Sequence, residues 1–262
     1  MFLSVKIRHG HMSFIEPNWP APANIIALST LRNGGSSCAP YATLNLADHV
    51  DDDSGAVAAN RASLSRWLPA GTRLQWLEQV HGSQVVRASA GIDRPCADAS
   101  WSRDSGQACV VMAADCLPVL FCSLAGDVVA AAHAGWRGML AGVLENTVAA
   151  MGIKPADILA WLGPAIGPAA FAVGPEVRSA FLAAARRDQV SATDASFVPN
   201  PENHGYYLAD LYALARVRLG ALESGNIFGG NYCTYTDDAR FFSYRRDGCT
   251  GRMANIIFRN PL

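Results

Sequence analysis

The chain has 262 residues, half of them hydrophobic and 16% charged, with a formal net charge of -1. That composition supports a sizeable core and excludes bulk disorder. The absence of a Lys/Arg-rich run argues against nucleic-acid binding. No stretch of about 18 uninterrupted apolar residues suggests a membrane span.

The N-terminal "MFLSVKIRHGHM" lacks the layout of a signal peptide, so a cytoplasmic protein is expected. "GHM" at 10–12 reads as a cloning scar, which makes 1–12 a tag or disordered N-terminus and 13–262 a single domain. On that reading His9 and His11 are not ligands. "NIIALSTLR" (24–32) reads as a strand running into a Gly34-Gly35 turn, "AVAANRASLSRWL" (56–68) as a helix, and "RLQWLEQVHG" (73–82) as a strand ending at His81-Gly82. "QACVVMAADCLPVLFC" reads as two strands broken near Asp115-Cys116, with Pro118 arguing against a central, fully paired strand there.

"DVVAAAHAG" is a strand, and "WRGMLAGVLENTVAAMG" a helix stopped by Gly152. "DILAWLGPAIG" is a strand with a Gly/Pro loop behind it, and Pro175 suits the first turn of a following helix. Leu208, Leu211, Ala215, Leu219 and Leu222 predict an amphipathic helix ending at Gly225. "GNYCTY", "RFFSYRR" and "RMANIIFR" close the chain as short strands. Helices and strands alternate only in part, which predicts a mixed sheet with helices outside.

Seven cysteines, odd in number and without a C-x-x-C pair, make neither a disulfide framework nor a zinc knuckle. Cys38, Cys96, Cys109, Cys122, Cys233 and Cys249 are read as structural. Three positions share another layout. His81 and His133 each end a strand before a glycine-containing turn, and Cys116 sits at a break between apolar runs. Two imidazoles and a thiolate suit zinc or copper, not calcium or magnesium. Three protein ligands leave a fourth position open, the pattern of catalytic zinc. On spacing alone, 35 and 17 residues apart, the alternative stands that the histidines are hydrogen-bonded loop residues and Cys116 is core filler.

"QVHG" (79–82), "ADCLPVLF" (114–121) and "AAHAGWRG" (131–138) resemble the signature blocks of the multicopper polyphenol oxidase, or laccase-domain, family. That family is also described as purine nucleoside phosphorylase and as peptidoglycan editing factor. "RNGGSS" (32–37), "PYATLNLADHVDDD" (40–53), "GPAIGP" (163–168) and "FFSYRRDGCTGRMANII" (241–257) agree. "SWSRDS" (100–105) and Ser36-Ser37-Cys38 depart from the family pattern, in ways that bear on loop shape.

The resemblance implies an α+β domain with layered α/β/β/α mixed sheets, related in architecture to cysteine-dependent deamidase toxins. It implies that His81, Cys116 and His133 bind one zinc, with copper also accepted by such ligands. It further implies phosphorolysis of adenosine, inosine, guanosine and methylthioadenosine, and deamination of adenosine. For deamination, zinc lowers the pKa of bound water towards about 7, and Asp115 is either a proton shuttle or a group orienting a ligand. For phosphorolysis, Arg137, then Arg61 and Arg245, suit phosphate, the alternative for each being a structural ion pair. Asn45 suits ribose or base. The expected partners are nucleoside and phosphate, and the expected state is a monomer or weak homo-oligomer.

Two other reactions compete. Copper oxidation of phenols, as in a laccase, needs several coppers and many histidines, and this chain has six. Amide hydrolysis, as in editing a peptidoglycan precursor, would use Cys116 as nucleophile and His133 as base. A zinc-stabilised binding protein would be expected to close the fourth position, for which no ligand is evident.

Overall fold

In the computed structural model, residues 5–7, 12–89, 93–220 and 226–260 are described. Two six-stranded sheets stack face to face. The first runs β1 (Val5–Ile7), β2 (Ser13–Ile15), β3 (Ile25–Thr30), β15 (Met253–Arg259), β7 (Gln107–Ala113), β4 (Arg73–Gln75). The second runs β14 (Ile227–Gly229), β10 (Ile158–Leu162), β8 (Leu117–Ser123), β9 (Val129–Ala134), β6 (Ala99–Ser102), β5 (Val85–Arg87). Pairing is antiparallel except where β4 joins β7, β14 joins β10 and β5 joins β6. A small sheet of β11 (Ala172–Val173), β13 (Tyr207–Ala209) and β12 (Phe197–Pro199) stands apart.

The period-two alternation of strands sorts the core into layers. Cys109, Val111 and Ile257 of the first sheet meet Leu120, Cys122, Val129 and Leu159 of the second. On the outer face of the second sheet, Leu117, Val119, Phe121 and Ala132 pack against helices. These are α2 (Trp136–Leu140), α3 (Val143–Met151), α4 (Pro175–Ala184) and α6 (Leu211–Arg218), with α5 (Val190–Ala195) alongside. On the outer face of the first sheet, Val110, Met112, Ile256 and Phe258 pack with Leu64 and Leu68, from α1 (Ser54–Trp67) and its end. This is the α/β/β/α layering that the family resemblance implies. All seven cysteines are free thiols.

Several elements differ from their sequence pattern. Beyond Gln75 the expected strand over 73–82 gives way to a loop, because side-chain bonds replace ladder bonds. The Gln79 carboxamide donates to the Met112 carbonyl (2.8 Å) and accepts its N–H (2.7 Å). Pro118 does lie in a central strand. It is tolerated because it is the second residue of β8, and pairing with β10 begins only at Val119. The helix expected over 136–152 is two helices, parted by Gly142 in the left-handed region (φ 94°). Leu208 belongs to β13, not to the following helix, which starts only after Asp210 caps the N–H groups of Tyr212 and Ala213. Its expected extension through Leu222 to Gly225 lies outside the described residues, as do His9 and His11. "RFFSYRR" carries a short helix, α7 (Tyr244–Asp247), capped by Ser243, where a strand was expected, and "GNYCTY" is irregular. Among the described residues no helix is long and apolar enough to cross a membrane.

Candidate metal centre

β7 and β8 are adjacent in sequence but lie in different sheets, so the chain must turn sharply at Asp115-Cys116. Asp115 makes that turn with φ 85°, a region costly for a non-glycine residue and common at functional sites. Its carboxylate is fully engaged: Oδ1 accepts from Thr234 Oγ1 (2.6 Å) and Oδ2 from the Arg245 N–H (2.6 Å). The break thereby presents Cys116, partly exposed, beside the end of β9.

His133 is the penultimate residue of β9 and buried. His81 sits in an exposed turn with φ 60°. Their rings lie edge to face, centroids 4.9 Å apart, and His81 Nε2 is 3.8 Å from Cys116 Sγ. One ligand atom from each of the three residues lies within 4.8 Å of the others, and among the described residues this is the one such His/Cys/Asp/Glu group.

A single carboxylate organises two of the three. Asp98, wholly buried, meets His133 Nδ1 at 2.8 Å. It also accepts the backbone N–H groups of Val80 (3.2 Å), His81 (3.0 Å) and Gly82 (2.6 Å). The bond to Nδ1 leaves Nε2 as the free donor atom, the usual arrangement behind a metal-ligating histidine.

The glycines of "HAGWRG" have steric reasons. A Cβ at Gly135 would stand 2.7 Å from Cys116 Sγ and 3.3 Å from His81 Cδ2, and one at Gly138 would stand 2.8 Å from the Gly82 carbonyl. Gly135 has φ -59° and ψ 160°, open to any residue. Gly135→Ala is therefore expected to fold normally yet bind metal about 10- to 100-fold more weakly, as disturbed metal surroundings do. A chelator competition alongside circular dichroism checks this, and wild-type affinity in the folded variant would contradict it.

The electrostatics suit a soft cation. Burial pushes the Cys116 thiol up, but the imidazoles of His133 and His81 outweigh it and bring it to about 6. Burial alone would lower His133, but the Cys116 thiolate and the Asp98 carboxylate raise it to about 9. Between those values the pair is a thiolate and an imidazolium. A metal must displace the imidazolium proton, so uptake at pH 7.5 is expected to release about one proton from this pair. Below about pH 6 the thiol proton adds to it, and above about 9 the release vanishes. Affinity therefore rises with pH across this window. Calorimetry in buffers of different ionisation enthalpy measures the release, and a pH-independent affinity would refute the assignment.

The three side chains open onto a cavity of about 470 Å³ that His49, Gln79, Met112, Arg137, Tyr244 and Arg252 also line. Of the arginines singled out in the sequence, only Arg137 reaches it, exposed and stacked 4.3 Å over the Trp136 ring. Arg61 bonds the Leu46 carbonyl (2.8 Å), pairs with Asp48 (3.3 Å) and stacks on Trp76. The Arg245 guanidinium bonds the Ala172 carbonyl (2.8 Å) over Phe171. Asn45 is wholly buried, bridging Ala47 and Asp52 and accepting the Arg252 N–H (3.0 Å). Asp98, His49 and Arg252 escaped the sequence reading. Asp98 carried a usable signal, a carboxylate leading into the buried strand "ASWS".

Fold and site together define a layered α+β domain with a candidate mononuclear metal centre between its sheets and an open cavity. The chain belongs to the family described as multi-copper polyphenol oxidoreductase laccase, which matches residues 26–260. It is 51% identical to a purine nucleoside phosphorylase of Pseudomonas aeruginosa over 94% of this chain and 98% of that one. It is 50% identical to purine nucleoside phosphorylase YfiH of Escherichia coli, covering 93% and 98%. Among solved structures, the Neisseria meningitidis protein NMB0706 superposes with a TM-score of 0.87 at 46% identity, covering 95% of this chain and 99% of that one. YlmD of Geobacillus stearothermophilus does so at 0.87 and 30%, covering 98% and 99%.

Proposed function

We propose that this chain is a zinc-dependent enzyme of purine nucleosides, splitting adenosine, inosine, guanosine and methylthioadenosine with phosphate and deaminating adenosine. The observation that carries this reading is the meeting of His81, Cys116 and His133 on a cavity that also presents arginine. The names of the relatives support nucleoside chemistry. The donor set fits zinc: two imidazoles and a low-pKa thiolate, steadied by Asp98 and unobstructed at Gly135. Zinc held by these residues would supply a Lewis acid and would lower the pKa of a water molecule towards neutrality.

The remaining work falls to the chain. Asp98 holds the His133 ring and the His81 turn in register. Arg137, flat on Trp136, offers a guanidinium to phosphate. Asp115 is a positioning residue, since its oxygens fasten Thr234 and α7 to the turn that carries Cys116. A three-ligand group is less than the several coppers that four-electron reduction of oxygen, coupled to phenol oxidation, requires, so we favour nucleosides over phenols as substrates. The test is zinc-reconstituted protein with adenosine. Adenine and ribose 1-phosphate should appear with phosphate, and inosine without it. Failure to form either product would sink the reading.

One observation favours a second reading. The Cys116–His133 thiolate–imidazolium pair is also the resting state of a cysteine hydrolase. Full activity of chelator-treated, metal-free protein towards a peptidoglycan-precursor amide would select it.

A further inference from the structure

The cavity wall, among the described residues, contains no Asp or Glu. It does contain Arg252, which forms no ion pair among the described residues. This guanidinium is half-buried and held rigidly. Its Nη1 donates to the carbonyls of Thr250 (2.8 Å) and Gly251 (3.1 Å), and its backbone N–H is fixed by Asn45 (3.0 Å). The ring of Tyr244 lies 5.7 Å away. Nε and Nη2 have no protein acceptor among the described residues. A partly desolvated cation without a carboxylate is costly unless an anion reaches it. Burial lowers the Arg252 pKa, and the charges that most oppose this are those of Cys116 and Asp115. A metal neutralises the first, and the second is already fastened to Thr234 and Arg245. His49, beside the same cavity, has Nδ1 3.6 Å from Asp48, and its Nε2 has no hydrogen-bond partner among the described residues.

We propose that Arg252, with His49 and Arg137 on the cavity wall, forms the oxyanion subsite that seats the phosphate co-substrate beside the metal ligands. The inference rests on the nucleoside reading for the identity of the anion. The free edge of the Arg252 guanidinium matches two phosphate oxygens, which an ammonium cannot do. Preorganised by two carbonyls and Asn45, it holds phosphate without a further ordering cost. In the reaction served, a phosphate oxygen forms a bond to C1′ as the C1′–N9 bond breaks, its electron pair leaving with the base. The proton of hydrogen phosphate passes to the leaving purine, so adenosine and hydrogen phosphate become adenine and ribose 1-phosphate. The sequence pointed to Arg137 and then to Arg61 and Arg245 for this task; the last two bond elsewhere and do not line the cavity.

The experiment measures inorganic phosphate binding to the zinc-loaded protein by calorimetry, and the phosphate KM with adenosine. Arg252→Gln is expected to weaken phosphate binding about 10- to 100-fold, the worth of a charge-assisted bond or two. Zinc content and adenosine affinity should stay within twofold of wild type. Arg252→Lys, keeping charge without the fork, should recover part of the loss. Arg186→Gln, removing a surface guanidinium paired with Asp188, should change nothing. The proposal is overturned if Arg252→Gln binds phosphate as wild type does, if zinc is lost in proportion, or if wild type prefers a carboxylate such as acetate to phosphate. Arg252-dependent phosphate binding without nucleoside cleavage would uphold the subsite and remove the nucleoside reading.

Discussion

Cys116→Ser is expected to lose stoichiometric metal and to turn over adenosine about a thousandfold more slowly. The reason is ionisation. Burial pushes the Cys116 thiol up, but the imidazoles of His133 and His81 bring it to about 6, so at neutral pH it offers an anionic donor. A serine hydroxyl stays protonated there and is a poor partner for a soft ion. Losing the metal removes several kcal/mol of transition-state stabilisation, on the order of a thousandfold in rate. The fold should survive, because the substitution is small and the site is partly open. Metal content and turnover must be measured together. A variant that retains one zinc but is inactive would contradict the ligand role and favour the nucleophile.

Asp98→Asn is expected to cost both stability and metal. Four N–H groups converge on this buried carboxylate: those of Val80, His81, Gly82 and the His133 ring. Burial resists its ionisation, but those bonds, the one from His133 foremost, hold it below the usual carboxylate range. An amide keeps the shape but has one acceptor oxygen, and turns its own donors towards N–H groups. Leaving a buried donor unsatisfied costs about 1–3 kcal/mol. Weakening the group behind a ligating histidine costs about 10- to 100-fold in metal affinity. Urea unfolding of the metal-free variant reads the first effect and chelator competition the second. If metal affinity holds while stability falls, Asp98 merely secures the loop, and its role towards His133 is wrong.

Much of this site is written in short range. An apolar run broken by Asp-Cys, a strand closing on His-Ala-Gly, and a His-Gly pair each show a reactive side chain at the edge of a rigid element. The family blocks that carry them select the same three residues. The pattern gave a mixed sheet with helices outside and the resemblance its layering, which the structure accounts for: Leu117, Val119 and Phe121 alternate with Leu120 and Cys122, and a strand that is apolar on both faces must be covered on both. Boundaries were less legible. Gln79 imitates a strand partner through its side chain, and Asp210 starts a helix two residues beyond a leucine that fits the helical period.

Residue type and order thus pointed to a mixed sheet with helices outside and, with the family blocks, to the layered fold and to His81, Cys116 and His133 as candidate ligands, because burial pattern and strand-end chemistry are local properties. Only the tertiary structure decided which polar groups serve them. Asp98 lies 35 residues from His133, and Arg252 lies 136 residues from Cys116, yet the fold brings Asp98 against the His133 ring and Arg252 to the cavity that Cys116 lines. Arg61, Asn45 and Arg245 are as polar and as plausible on paper. What separates them from Arg252 is whether the fold brings the side chain to the cavity wall beside His81, Cys116 and His133, and that depends on contacts the local sequence does not contain.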